Sequence, residues 1–375
     1  MTARKTKLCF IFGTRPEIIK LSPVIKMCED RNIPFFVLHT GQHHSPEMDK
    51  IFIKELDLDD PKYAVKICSK GALKQAEHIG KMLAKIEQII IDEKPTCVLT
   101  QGDTNTALAG TLTANRIAMT EAFTGMSIKT AHVEAGLRSY DRSMPEEVNR
   151  FVVDHLSDYL FCPTKKEVAI LRGEGVSRNK IYVTGNTVVD AVRRNSQLAK
   201  RRKAKLHQQG LLVESYFLLT LHRQENVDVK SRFSSILSGL RKVYQQYRLP
   251  IIFPIHPRTV ALLKKHNIKI PTFVEVIKPI GYLDFLCLQI HANLILTDSG
   301  GIQEEACVLK VPCVTLRDNT ERPESVDVGA NVVAGVTPDG ILDAASVMLN
   351  RKCNWRNPFG DGKAAERIIK RVTRP

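Results

Sequence analysis

The sequence predicts an α/β protein with two Rossmann-like parallel-sheet domains, and three observations carry that prediction. Short apolar runs alternate with amphipathic stretches of helical period along almost the whole chain. Repeated strand, helix, strand builds parallel sheets covered on both faces. The rhythm is interrupted once, by a basic polar stretch at residues 195–214, and then restarts. A chain of 375 residues with 43% hydrophobic content can build sizeable cores, and its length favours two domains over one.

Taken in order, the first half opens with LCFIFG from Leu8, followed by a segment of period 3.6 from Glu17 to Cys28. FFVLHT from Phe35 reads as the next strand, and Ala72 to Ile91 as the next helix. CVLTQGD from Cys97, TAHVEAG from Thr130, YLFCPT from Tyr159 and IYVTGN from Ile181 complete the first set of strands. After the basic interruption come YFLLTLH at Tyr216, PIIFPIH at Pro250, EVIKPI at Glu275, NLILTD at Asn293 and PCVTLR at Pro312. In open parallel sheets ligands sit beyond the carboxyl ends of the strands. Almost every unusual polar motif of this chain falls there.

Composition excludes several classes. The apolar stretch after the basic N-terminus is too short for a signal-peptide core or a membrane span, which places the protein in the cytoplasm. Nine scattered cysteines show no CxxC pair or zinc spacing, so they read as small core residues in a reducing compartment, and no metal is expected. The net charge of +15 asks for an anionic partner. Aromatic residues make up only 6% and none interleaves with a basic cluster. That argues against nucleic acid and leaves a small phosphorylated substrate. The densest basic run, LAKRRKAKLHQQG, reads as the exposed face of a helix near a domain junction.

The clearest chemistry lies in LILTDSGGIQEEA. Ser299 stands at an N-cap position, and Gly300 and Gly301 leave the first helical N–H groups uncovered, so that an anion can approach them. Glu304 and Glu305 point about 100° apart on a helix, so one can serve the helix while the other accepts from a ribose diol. Diphosphate with ribose means a nucleotide. In the first half, FGTRPEIIKLSP brings Arg15 and Lys20 beside a strand end as cations, with Pro16 suited to a first helical turn. TQGDTNTA puts Asp103 at another strand end, and HVEAGLRSYDRSMPEEVNR puts Glu134 at a third, with Glu146 and Glu147 opening the next helix. Gathered carboxylates raise one another's pKa, which lets a general acid and a general base coexist near neutrality. LTLHRQEN supplies His222 and Arg223 after the first strand of the second half, and PIHPR supplies His256 and Arg258. Arg317, Arg322 and Glu324 follow the last of these strands. No nucleophile elbow, HExxH or EF-hand loop is present.

GTRPEIIKLSP, GDTNT, HVEAGLRS, PEEVNR, GNTVVD, LHRQEN, LTDSGGIQEEA, RDNTERPE and NPFGDG occur in that order. Through them the chain, from about Leu8 to Ile369, resembles the non-hydrolysing UDP-N-acetylglucosamine 2-epimerases. The resemblance implies a glycosyltransferase-B-like fold with a deep cleft: an N-terminal domain at 1–190, a UDP-binding domain at 191–355, and a C-terminal helix at 356–375 packing back on the first domain. It implies UDP against Ser299, Gly300 and Gly301, with Glu305 on the ribose, and Arg15, Lys20, His222, His256 and Arg322 on the diphosphate or sugar side. Asp103, Glu134 and Glu146 carry over as catalytic carboxylates, with His222 assisting at the phosphate.

The family reaction expels UDP to give 2-acetamidoglucal and adds it back with protonation on the opposite face, which needs no cofactor. The resemblance further implies a homodimer and a role in polysaccharide biosynthesis. The chain departs from the family at ICSKGALKQAEHIG, where members carry a Gly-rich loop. It keeps Gln42 in GQHHSPEMD, where many bacterial members bind a second substrate molecule. Alternatives stay open: a hydrolysing relative releasing UDP and N-acetylmannosamine, a 2-epimerase of another UDP-2-acetamido sugar, a B-type glycosyltransferase, and a basic RNA-binding protein.

Overall fold

A computed structural model describes residues 6–42, 46–65, 75–142, 144–211 and 213–374. The chain divides into two compact units, Met1–Ala191 with Gly360–Pro375, and Val192–Phe359. The expected Gly-rich-loop position, Cys68 and the start of the Ala72–Ile91 segment fall on 66–74, outside the described residues, as do 43–45 of the Gln42 loop.

The first unit holds a seven-stranded parallel sheet in the order β3-β2-β1-β4-β5-β6-β7. Its strands are β1 Leu8–Phe12, β2 Phe35–His39, β3 Tyr63–Ala64, β4 Cys97–Gln101, β5 Lys129–Val133, β6 Tyr159–Cys162 and β7 Ile181–Val183. Every residue of β1 and β4 is buried. That is why they read as unbroken apolar runs and not as alternating ones. Cys9, Ile11, Phe36, Leu38 and Val98 pack against Met82, Ile86 and Ile90 of helix Gln75–Glu93 and Ala109, Ala114 and Ile117 of helix Asn105–Ala118. Helix Ala364–Val372 buries Ala365, Ile368 and Ile369, and its first amides donate to Asp190.

The second unit repeats the plan with six parallel strands in the order β10-β9-β8-β11-β12-β13. These are β8 Phe217–Thr220, β9 Ile251–Pro254, β10 Val274–Ile277, β11 Leu294–Thr297, β12 Cys313–Thr315 and β13 Asn331–Val333. Phe217, Leu219, Leu294 and Leu296 meet Phe233, Ile236 and Leu240 of helix Lys230–Tyr247 and Ile341, Ala345 and Met348 of helix Pro338–Leu349. Counted from its own first strand, the second unit has the order 3-2-1-4-5-6, the Rossmann order, and the first has the same order with a seventh strand added at the edge. The fold class is therefore the one predicted, two Rossmann-like parallel sheets on one chain.

The basic interruption folds as the end of helix Thr187–Arg201 and as helix Lys203–Gln208, with Arg202 and Lys205 both directed at Asp284. Seven of the eight described cysteines are buried, and all eight are free. Among the described residues no helix is long and apolar enough to cross a membrane.

Candidate functional site

In a sheet of this order the connections turn opposite ways after the first and fourth strands, which opens a crevice between their carboxyl ends. In the first unit the crevice lies between the ends of β1 and β4. The β1 end is tight: a Cβ on Gly13 would meet the hydroxyls of Thr40 and Thr106 at 2.1 and 2.4 Å. After β4, Thr104 caps helix Asn105–Ala118 by accepting from the Ala107 amide. Glu17, in the first turn of helix Arg15–Asp30, bridges the two ends. Its carboxylate accepts from the Gly13 amide at 3.0 Å, the Thr14 hydroxyl at 2.8 Å and the Thr104 hydroxyl at 2.7 Å. Burial outweighs those donors and pushes the Glu17 carboxyl up to about 7.

Glu134 follows β5 with φ 72°, left-handed backbone that a non-glycine residue seldom adopts. Its buried carboxylate takes the Lys20 ammonium at 2.6 Å and the Gln101 amide, both on Oε2. Asp103 accepts from Nε of Arg150 at 2.9 Å, and its backbone carbonyl accepts from Asn149 at 2.9 Å. Both partners lie on helix Pro145–Leu156. Arg150 also reaches Glu147 at 2.6 Å. Burial works against Glu147, but the Ser139 and Tyr140 amides together with Arg150 hold it below the usual carboxylate range. Glu146, beside it, is half-buried.

Lys20 answers Glu134, and Arg150 answers Asp103 and Glu147, so each of these three carboxylates has a cation beside it. Lys20, expected on the substrate side, has its ammonium on Glu134. Arg15 sits over the Phe52 ring at 5.8 Å, and burial lowers its pKa against the pull of Asp49. The carbonyl oxygen of Gln42, which the sequence singled out, accepts from the Thr106 amide at 2.9 Å.

In the second unit the crevice lies between the ends of β8 and β11, where the hydroxyls of Thr220 and Thr297 meet at 2.5 Å. Asp298, fully buried, accepts from the backbone amides of His222 and Arg223 and from Nδ1 of His222 at 3.1 Å. Helix Gly300–Leu309 then begins. Ser299 occupies its N-cap with extended backbone, and the hydroxyl makes no capping bond. A Cβ on Gly300 would lie 3.8 Å from the guanidinium carbon of Arg322, so a cation stands beside a bare helix start. Arg322 pairs with Glu304, the adjacent carboxylate that the sequence could not allot. Glu305 is buried and accepts from the Gln289 amide at 2.5 Å, close enough to Tyr282 to help burial raise that phenol.

Arg317 forks onto Glu321 at 2.7 and 2.9 Å and shapes the loop that delivers Arg322. Burial opposes it, but Arg317 with Arg223 and Arg322 holds Glu321 well below the usual range. His222, Ser299, Gly300, Gly301 and Arg322 therefore gather at one switch point. His256 follows β9, on the far side of β8 from β11. The side chain of Arg258 lies outside the described residues. Among the described residues, no three His, Cys, Asp or Glu side chains come together as a metal site would require.

Sequence reasoning missed Glu17, Gln101, Arg150 and Asp298. All four belong to motifs already noted, but only their partners on other elements reveal their work.

The chain matches known proteins over nearly its whole length. A family profile described as UDP-N-acetylglucosamine 2-epimerase matches residues 26–373. The chain is 50% identical over 373 residues to the UDP-N-acetylglucosamine 2-epimerase of Methanocaldococcus jannaschii, covering 98% of this chain and 99% of the relative. A crystal structure of the Methanocaldococcus jannaschii UDP-GlcNAc 2-epimerase in complex with UDP-GlcNAc and UDP superposes with a TM-score of 0.91 at 51% identity, over 98% of this chain and 99% of that one. The UDP-2,3-diacetamido-2,3-dideoxy-D-glucuronate 2-epimerase of Pseudomonas aeruginosa is 38% identical, over 96% of this chain and 98% of the relative. With a family match across nearly all of its length and relatives of this identity, the chain belongs to the UDP-N-acetylglucosamine 2-epimerase family.

Proposed function

We propose that the protein interconverts UDP-N-acetylglucosamine and UDP-N-acetylmannosamine by eliminating UDP to 2-acetamidoglucal and adding it back. The second unit holds UDP, with the diphosphate on Ser299, Gly300, Gly301 and Arg322, the ribose at Glu305, and His222 assisting the departing phosphate. The first unit supplies Asp103, Glu134 and Glu146 for proton transfer at C2, with Arg15 on the sugar side. No carbonyl neighbours C2 of the sugar, so its proton is not acidic until departure of UDP leaves an oxocarbenium-like C1. A carboxylate must then take the proton, and cations must hold the diphosphate for re-addition.

The observation that supports this most is Glu134. A buried carboxylate on left-handed backbone, held by Lys20 and Gln101, costs on the order of 1–3 kcal/mol in backbone strain, which clusters at functional sites. A proton NMR time course with UDP-N-acetylglucosamine in D2O tests the reading. The expected result is a mixture of the two UDP-sugars with deuterium at C2. Free N-acetylmannosamine with stoichiometric UDP would assign the hydrolysing reaction instead. The 38% identity to a diacetamido-glucuronate epimerase favours one second reading, a UDP-2-acetamido uronate substrate. Deuterium exchange only with that class of sugar nucleotide would select it.

A further inference from the structure

The second unit contains a buried carboxylate to which neither the family motifs nor the reading above gives a task. Asp298 closes β11 with no solvent exposure. Its own amide donates to the Thr220 carbonyl at 3.3 Å, and the next amide, Ser299, donates to the Thr297 hydroxyl at 2.9 Å. The side chain therefore leaves the sheet in a fixed direction, across the switch point toward the loop after β8. There it receives the His222 amide at 3.1 Å, the Arg223 amide at 3.0 Å, the Asn226 side-chain amide at 3.3 Å and the His222 ring at Nδ1, 3.1 Å away. The backbone amides and the Asn226 amide can only donate. Asn226 is itself held by the Leu316 carbonyl, to which it donates at 2.8 Å. The carboxylate thus fixes both the backbone and the ring of His222.

The consequence is chemical as well as mechanical. An imidazole nitrogen facing a carboxylate that already accepts from amides must carry the hydrogen, which leaves the other nitrogen as the one that can face a ligand. Half of the His222 side chain is exposed, and its Nε2 makes no hydrogen bond among the described residues. In triads of the Ser-His-Asp kind, an aspartate in this relation sets the tautomer of its histidine without touching the reacting atoms, and its asparagine variant keeps the geometry while spoiling the tautomer.

We propose that Asp298 is the positioning residue of His222, fixing the ring as its Nδ1–H tautomer so that Nε2 is the nitrogen offered to the departing diphosphate. This rests on the reading of His222 given under Proposed function. It also explains why the aspartate precedes Ser299 directly: one turn of chain orients the histidine and opens the anion-binding helix.

The test combines a spectrum with kinetics on the full-length protein. In long-range proton–nitrogen correlation spectra at alkaline pH, the ring resonances of His222, identified by their loss in His222→Asn, are expected to show the Nδ1–H form. Free imidazole side chains ordinarily prefer the Nε2–H form, so an Nε2–H pattern in the unmutated protein overturns the proposal without any Asp298 variant. Asp298→Asn is expected to lower kcat for UDP-N-acetylglucosamine by about 100-fold with KM changed by less than about threefold, and to shift the tautomer. Because both residues act through one ring, the double variant is expected to be no slower than His222→Asn within about threefold. Wild-type kcat in Asp298→Asn beside a crippled His222→Asn overturns the inference and leaves the reading of His222 standing. Wild-type turnover in His222→Asn overturns the reading, and the inference with it.

Discussion

At the scale of single residues, the first unit separates two kinds of buried carboxylate. Glu134 is held by a cation and an amide at a strained strand end, which suits proton transfer. Glu134→Gln is expected to lower kcat by about 10²–10⁴ while UDP affinity, measured calorimetrically, stays unchanged. Among the described residues Glu17 faces neutral donors, and its pKa, pushed by burial to about 7 in the fold, lies above its ordinary value. A carboxyl raised in this way binds more protons folded than unfolded. Stability is therefore greatest below the unfolded pKa and declines as pH rises toward 7. Relative to Glu17→Gln, the wild-type protein is expected to lose roughly 3 kcal/mol of stability between pH 4.5 and 7.5, measured by urea unfolding across that range. A pH-independent difference would exclude the raised pKa. Residue chemistry was only half legible beforehand. Asp103 and Glu134 stand out because a carboxylate closing an apolar run is conspicuous, but Lys20 meets Glu134 from 114 positions away and no spacing rule announces such a pair.

At the scale of elements, two glycines differ in the room their surroundings leave them. In helix Lys230–Tyr247, a Cβ on Gly239 would come within 2.7 Å of the Ile341 side chain on helix Pro338–Leu349. Gly239→Ala is expected to destabilise the protein by about 1–3 kcal/mol through overpacking, read from denaturant unfolding. Gly300 opens helix Gly300–Leu309 with ordinary van der Waals room around it. Gly300→Ala is expected to leave stability within about 1 kcal/mol yet weaken UDP binding at least tenfold. Unchanged UDP affinity would remove this helix start from the diphosphate site. The strands with four or five consecutive buried residues, such as β1, β4 and β11, were legible because both faces are covered. β3 and β13 were not. The first has two residues, the second begins with Asn331, and each lies at a sheet edge where little apolar sequence is required. The polar stretch that interrupts the rhythm of strands proved to be helical, since its charges lie on exposed faces while Ala199 and Leu206 are buried.

At the scale of the whole molecule, the chain leaves the first unit at residue 191 and rejoins it at Gly360. Its last helix packs on helix Arg15–Asp30, and Arg371 lies over the rings of Tyr159 and Tyr182. Truncation after Phe359 is expected to cost the first unit at least about 3 kcal/mol through the lost burial of Ile368 and Ile369. Hydrogen exchange should rise across β1 to β7 and stay unchanged across β8 to β13. Equal loss of protection in both sheets would contradict the division into units. The return of the chain also sets an order of birth. All strands of the first sheet are made before the second unit is begun, but the segment that finishes their packing is made only after that unit. During synthesis the second unit, continuous from Val192 to Phe359, is made in one uninterrupted stretch, while its elder neighbour still lacks the segment from Gly360 onward.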